Sequence, residues 1–256
     1  MIVAIVNNIS SALSMITSAS DLAVNLDKKF GIILFADASS QIDKQKRELE
    51  DLINRLKIKV DYSSAQETQW NDIVPVCESV EASFLFIQLS KFTSRSGMKF
   101  LHACRELRIP YLFYKDSYGA MRLERVLIPV NFLIEEIEKA QFAAAFGRFC
   151  NSKITLLQAN DYGSRAENNV AKIRSVLDKF QLEYQVVKGE KDSFKIEFDA
   201  LKVSEKENFD LVLVSSSRDY ALDDIIFGPK ELHLIKKSKV PVLLINPRGD
   251  LYTLCD

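Results

Sequence analysis

The same succession of apolar segments occurs twice in this chain, in the same order and nearly the same register, and that repeat limits the fold more than any single motif. Ile5-Val6-Asn7 is matched by Pro129-Val130-Asn131, 124 residues later. Gly31 to Asp37 is matched by Thr155 to Asp161, and Ile58-Lys59-Val60 by Leu182-Glu183-Tyr184, at the same spacing. Phe84 to Ile87 then matches Leu211 to Val214 at 127, and Ile109-Pro110-Tyr111 matches Val240-Pro241-Val242 at 131. The drift falls between strands, where insertions are tolerated.

Helical spacing separates these strand-like runs. Leu49, Leu52, Ile53 and Leu56 recur at i, i+3, i+4 and i+7 in the first half, and Val170, Ile173, Leu177 and Phe180 form a similar stripe in the second. Such stripes are core packing and are assigned no ligand. Ile134 to Phe149 is apolar on most faces and is expected to be one buried crossover helix, with Ala143, Ala144 and Ala145 allowing close approach to a sheet. Each half therefore reads as five strands alternating with four helices, the pattern of a parallel, doubly wound α/β sheet with right-handed crossovers. The expected domains are residues 1–117 and 124–248, followed by a tail over 249–256, with Asp116 to Glu124 as the link.

Any ligand site on such a sheet lies beyond the carboxyl ends of the strands, which directs attention to Leu211 to Arg248. The unbroken apolar run Leu211 to Val214 is a strand covered on both faces. A polar turn comes next, Ser215-Ser216-Ser217-Arg218-Asp219, and Gly228-Pro229 opens a helix through about Lys237, with proline in its first turn. A last strand is expected over Val240 to Ile245.

This layout resembles the last third of a universal stress protein domain, and the resemblance extends over both halves. Some branches of that family bind ATP or AMP, through a turn of the form G-x-x-G, nine residues, then G-[S/T]. Here Ser216 and Asp219 stand at the two glycine positions, eight residues precede Gly228, and Pro229 replaces the hydroxyl residue, so three of the four signature positions are lost. The resemblance implies two tandem Rossmann-like or flavodoxin-like sheets of strand order 3-2-1-4-5. It also implies a pseudo-two-fold pair within the chain, formed through the last strands, Ile109 to Tyr114 and Val240 to Ile245, which would cover two sheet edges.

A phosphate needs close backbone approach, which glycine permits, and free N–H groups at a helix start. Ser216 and Asp219 add side chains there, Pro229 removes a backbone donor, and Asp219, Asp223 and Asp224 add carboxylates that Arg218 and Lys230 offset only in part. A carboxylate about 4 Å from a phosphate oxygen costs about 1 kcal/mol in water and several times that in a sheltered cleft. The expectation is a loop that repels a triphosphate. Should a nucleotide bind in a nonstandard way, the residues to hold it are Asn131, Ser216, Ser217, Arg218, Gly228 and Lys230, with Asn131 standing where the family usually has the aspartate that meets base and ribose. In the first half Asn7 takes that place, and Gln88 to Gly97 reads as a plain connecting loop.

Other chemistry has weaker support. His102 and His233 lie 131 apart on the last helix of each half, so repeat symmetry accounts for them, and two such histidines do not make a zinc site. Ser215 to Ser217 lack the G-x-S-x-G elbow of a nucleophile, and Asp37 and Asp161 are expected to end the second strands and cap the segments after them. Cys77, Cys104, Cys150 and Cys255 form no C-x-x-C pair and are expected to be reduced thiols of a cytoplasmic protein. Met1 to Val6 is expected to be a first strand and not a leader, since no basic residue precedes Lys28. With 34 basic and 35 acidic residues, no global field points to nucleic acid or an anionic membrane. The sequence thus predicts a non-enzymatic regulatory or interaction protein of stress response with an unknown protein partner and no cofactor. Two alternatives stand beside it: an ATP- or AMP-binding switch, with slow hydrolysis belonging to that reading, and a sensor of another small ligand.

Overall fold

The computed structural model describes residues 1–36, 39–67, 72–90, 93–217 and 228–248, and the chain divides into two compact units, Met1–Met121 and Arg122–Asp256. The first unit runs β1 (Ile2–Val6), α1 (Leu13–Asn25), β2 (Phe30–Ala36), α2 (Ile42–Leu56), β3 (Tyr62–Glu67), α3 (Ile73–Ser79), β4 (Phe84–Leu89), α4 (Ser94–Cys104) and β5 (Tyr111–Lys115). The second runs β6 (Arg125–Val130), a 3-10 turn (Ile134–Glu138) leading into α5 (Lys139–Phe149), β7 (Lys153–Gln158), α6 (Arg165–Lys179), β8 (Tyr184–Lys188), α7 (Ile196–Lys206), β9 (Leu211–Ser215), α8 (Lys230–Lys237) and β10 (Val242–Ile245).

Within each unit the strands are parallel and ordered 3-2-1-4-5: β3-β2-β1-β4-β5 in the first, β8-β7-β6-β9-β10 in the second. The ladder registers test the repeat residue by residue. Val6 pairs with Leu34 and Val130 with Gln158, both partners displaced by 124. Ile2 pairs with Phe84 and Val126 with Leu211, which gives 127 for the fourth strand; Leu85 pairs with Tyr111 and Val212 with Val242, which gives 131 for the fifth. Those offsets are the ones read from sequence.

The third strand departs from the expectation. Ile58-Lys59-Val60 precedes the strand instead of forming it, and β3 is Tyr-Ser-Ser-Ala-Gln-Glu. Ile32 pairs with Ser63 and Leu156 with Val186, so the equivalence here is 123 and not 124. The cause is position. β3 is an outer strand with little burial, so it needs no apolar alternation, and polar outer strands resist unwanted pairing. The central strands behave oppositely: every residue of β1, β2, β4 and β9 is buried, as for a sheet covered on both faces.

Two boundaries also move. Pro229 is the N-cap of α8 (φ −66°, ψ 157°) and not a first-turn residue. The single helix expected over Ile134 to Phe149 is a 3-10 turn followed by α5; α5 buries Ala140, Ala143, Ala144 and Phe146 as expected, while the burial of the turn is inverted. Glu135, Glu136 and Glu138 are buried, while Leu133 and Ile134 are exposed.

Candidate functional site

β6 and β9 are the first and fourth strands of their unit, neighbours at the point where the chain reverses its direction of winding. Their ladder is formed over Val126 with Leu211 and Leu127 with Val212, whereas β1 and β4 pair over four residues each. Just beyond lies Pro129, which has no N–H to contribute to a ladder. Its carbonyl instead accepts a hydrogen bond from Lys139 Nζ at 2.7 Å.

That ammonium belongs to a buried charged cluster. Lys139 and Glu136 are both 0% exposed and pair at 2.8 Å. Glu136 Oε2 also accepts the backbone N–H of Asn131 at 2.9 Å. On the β9 side, the Ser217 N–H donates to Glu231 Oε1, and Glu231 is likewise fully buried. Lys230, the first residue of α8, donates to Glu197 Oε1 at 2.9 Å from the first turn of α7. Among the described residues, three glutamates and two lysines thus gather at the carboxyl end of this sheet.

The electrostatics reflect burial and neighbours. Burial pushes the Glu197 carboxyl above the usual range, although Lys230 and Lys139 act to lower it. For Lys230, burial acts to lower the pKa, but Glu197, Glu231 and Glu136 outweigh it and the ammonium is held above its ordinary value. Glu136 Oε1 and Glu231 Oε2 have no hydrogen-bond partner among the described residues, so the surplus in this cluster is of acceptors.

The residues named from sequence have different fates. Asn131 is buried, its side-chain oxygen accepts the Leu133 N–H at 2.8 Å, and its carbonyl accepts from Asn169 Nδ2 at 3.0 Å. Ser216 is buried and its N–H donates to the Ile245 carbonyl at 2.8 Å. Ser217 gives its N–H to Glu231, and Lys230 gives its ammonium to Glu197. Gly228 has φ +83°, a conformation that favours glycine. Arg218, with Asp219, Asp223, Asp224, Asp37 and Cys255, lies outside the described residues. Asp161 does not cap α6: its carboxylate accepts from the N–H and hydroxyl of Ser193. His102 and His233 fall on α4 and α8, the last helices of their units.

Sequence reasoning missed Glu136, Lys139, Glu197 and Glu231. One signal was present. The turn after β6 and the helices α7 and α8 each carry an acid in the first turn, where partial positive charge attracts anions. Residues of the chain itself meet that potential.

The first unit handles the same place with an amide. The Asn7 and Asn8 N–H groups donate to Gln88 Oε1 at 3.0 and 2.9 Å, while Gln88 Nε2 donates to the Asn8 carbonyl at 2.8 Å. Gln88 is 1% exposed and stands on β4, the counterpart of β9. Cys77 and Cys104 are buried free thiols, and burial pushes Cys77 up to about 12, which removes reactive thiolate. Among the described residues, no group of three or more His, Cys, Asp or Glu is arranged to hold a metal, and no helix is long and apolar enough to cross a membrane.

No family model matches the sequence, and no curated protein matches it. Solved structures do. A universal stress protein from Archaeoglobus fulgidus DSM 4304 is similar over 97% of both chains, at 15% identity and a TM-score of 0.69. A Pseudomonas aeruginosa UCBPP-PA14 protein assigned provisionally to the same group is similar over 96% of this chain and 92% of its own, at 10% identity and a TM-score of 0.59. The cytoplasmic domain of a prokaryotic cation chloride cotransporter is similar over 94% and 93%, at 14% identity and a TM-score of 0.54. At such identities a likeness establishes architecture, and with the strand orders above it gives this chain the α/β fold of the universal stress protein structures, its five-stranded parallel unit written twice.

Proposed function

We propose that this protein is a universal stress protein-like regulatory or interaction protein, acting in stress response through a protein partner and not through catalysis or standard ATP binding. One observation carries the reading. The Asn131 and Ser217 N–H groups, which end the two central strands of the second unit, are already held by Glu136 and Glu231. Among the described residues, the cation assigned to a phosphate is Lys230, and it is held by Glu197. A nucleotide would have to displace two buried carboxylates from the backbone donors they now hold, each losing a hydrogen bond that nothing nearby among the described residues replaces. That the fold also occurs as the cytoplasmic domain of a cotransporter supports a role as a module within a larger assembly.

Isothermal titration with ATP and with AMP in the presence of magnesium, together with native mass spectrometry of the purified protein, tests this reading. The expected result is no heat and no co-purified nucleotide. Binding tighter than about 10 μM, roughly −7 kcal/mol, would establish a nucleotide switch in its place.

A further inference from the structure

The inverted turn after β6 has an outer side as well as an inner one. Because Glu135, Glu136 and Glu138 point inward, Leu133 and Ile134 are left 39% and 42% exposed. They form one lip of a groove of about 440 Å³, whose other wall is the α6 face bearing Arg165, Asn168 and Lys172. Phe132 also lines the groove, and its ring packs edge to face, 5.5 Å between centroids, against Phe194, which is 80% exposed. The apolar lip therefore continues onto the loop before α7. Neither Arg165 nor Lys172 has a carboxylate partner among the described residues. Glu135 is the single acid among the lining residues, and it is turned inward and buried.

The equivalent place in the first unit has the opposite charge. A groove of about 730 Å³ there is lined by Ile9, Leu13, Glu48, Asp51 and Arg55. At the 124-residue offset Ile9 corresponds to Leu133 and Glu48 to Lys172. The apolar lip is common to both units, and the charge beside it is reversed.

We propose that the groove between the Phe132–Ile134 lip and α6 binds a short acidic and apolar peptide segment of a partner protein, leucine-like side chains seating against Leu133 and Ile134 and carboxylates meeting Arg165 and Lys172. The proposal rests on the interaction-protein reading above and supplies its surface. Charge complementarity selects the peptide, since two unpaired cations beside exposed apolar side chains favour an anionic, apolar ligand. A membrane fits less well, because the surface is concave and the chain carries a net charge of −1, which gives no general attraction to anionic lipid.

The test is fluorescence anisotropy on the full chain with a labelled short peptide of leucine and glutamate. The controls replace its glutamates with lysine or its leucines with serine. The acidic apolar peptide is expected to bind about ten-fold tighter than either control, and to weaken several-fold as sodium chloride rises from about 50 to about 500 mM. Lys172→Glu and Leu133→Ser, both at exposed positions, are each expected to weaken it about ten-fold with an unchanged circular dichroism spectrum, whereas Glu48→Lys in the first unit leaves it unchanged. Equal binding of the three peptides, full binding by Lys172→Glu, or capture by phosphatidylserine vesicles without peptide binding overturns the proposal. Nucleotide binding in the titration above would remove the reading of the cleft and leave the groove standing; peptide failure with a silent titration would do the reverse.

Discussion

The two units face one problem, backbone N–H groups left over where the central strands end, and solve it with different chemistry. In the first unit Gln88 accepts from Asn7 and Asn8 and returns a donor to the Asn8 carbonyl, so one neutral amide serves both kinds of partner. In the second, Glu136 and Glu231 can only accept. Each brings a charge out of water; Lys139 pairs with Glu136, and Lys230, paired with Glu197, also acts on Glu231 through its charge. The difference teaches that a buried carboxylate brings a cation in with it, while a buried amide can hold donors and an acceptor at once.

Removing one partner of a buried pair should do the most damage. Lys139→Met leaves Glu136 buried without its cation and is expected to cost about 3 to 5 kcal/mol in urea unfolding, and Glu136→Gln in the same chain should recover most of it. If the double variant is no more stable than Lys139→Met alone, Lys139 is not there to balance the charge of Glu136. Gln88→Leu strands the Asn7 and Asn8 donors without adding a charge, and about 2 to 3 kcal/mol is expected. A loss equal to that of Lys139→Met would erase the distinction between the two units.

Acidity separates them further. Glu197 has its pKa raised in the folded state, so folding favours its protonated form. The stability it contributes is present below its ordinary value of 4.5 and is lost as pH rises through the raised value. Relative to Glu197→Gln, the parent chain should therefore lose stability from about pH 4.5 upward, read from urea midpoints across a pH series. Lys230 works in the opposite range, its contribution persisting to about pH 10.5 and fading only above it. Parallel curves for the two proteins would show that burial does not hold Glu197 above its ordinary range. Thiol chemistry should give the smallest effect. In a Cys255→Ser chain at pH 8, Cys150, which is half-buried, is expected to alkylate first, with Cys77 and Cys104 labelled only on unfolding.

Sequence showed the scaffold well because the scaffold is written in apolar runs. Phe84–Leu89 and Leu211–Ser215 are buried throughout, and their ladder partners fall at the offsets the runs predict. Tyr62–Glu67 was missed because an outer strand needs no such run. The site divides in the same way. The places of Asn131, Ser216 and Ser217 just past strands, and of Lys230 at a helix start, were legible from the apolar runs and Gly228-Pro229. Glu136, Glu197 and Glu231 were not, since acids near helix starts ordinarily face water and only partners from other elements make their burial tolerable. Lys139 meets Glu136 three residues away, yet the Pro129 carbonyl it also holds belongs to β6.

The Glu136 and Lys139 pair bears on how the two halves of the gene can drift. A replacement at position 88 leaves hydrogen-bonding groups unpaired but no buried charge, so its cost is the smaller. A change at either member of the buried pair is poor until the other changes too, so its mutational paths must cross an unfit intermediate. Chains that carry this repeat should therefore vary more readily at the strand end of the first half, and at that of the second only in concerted sets.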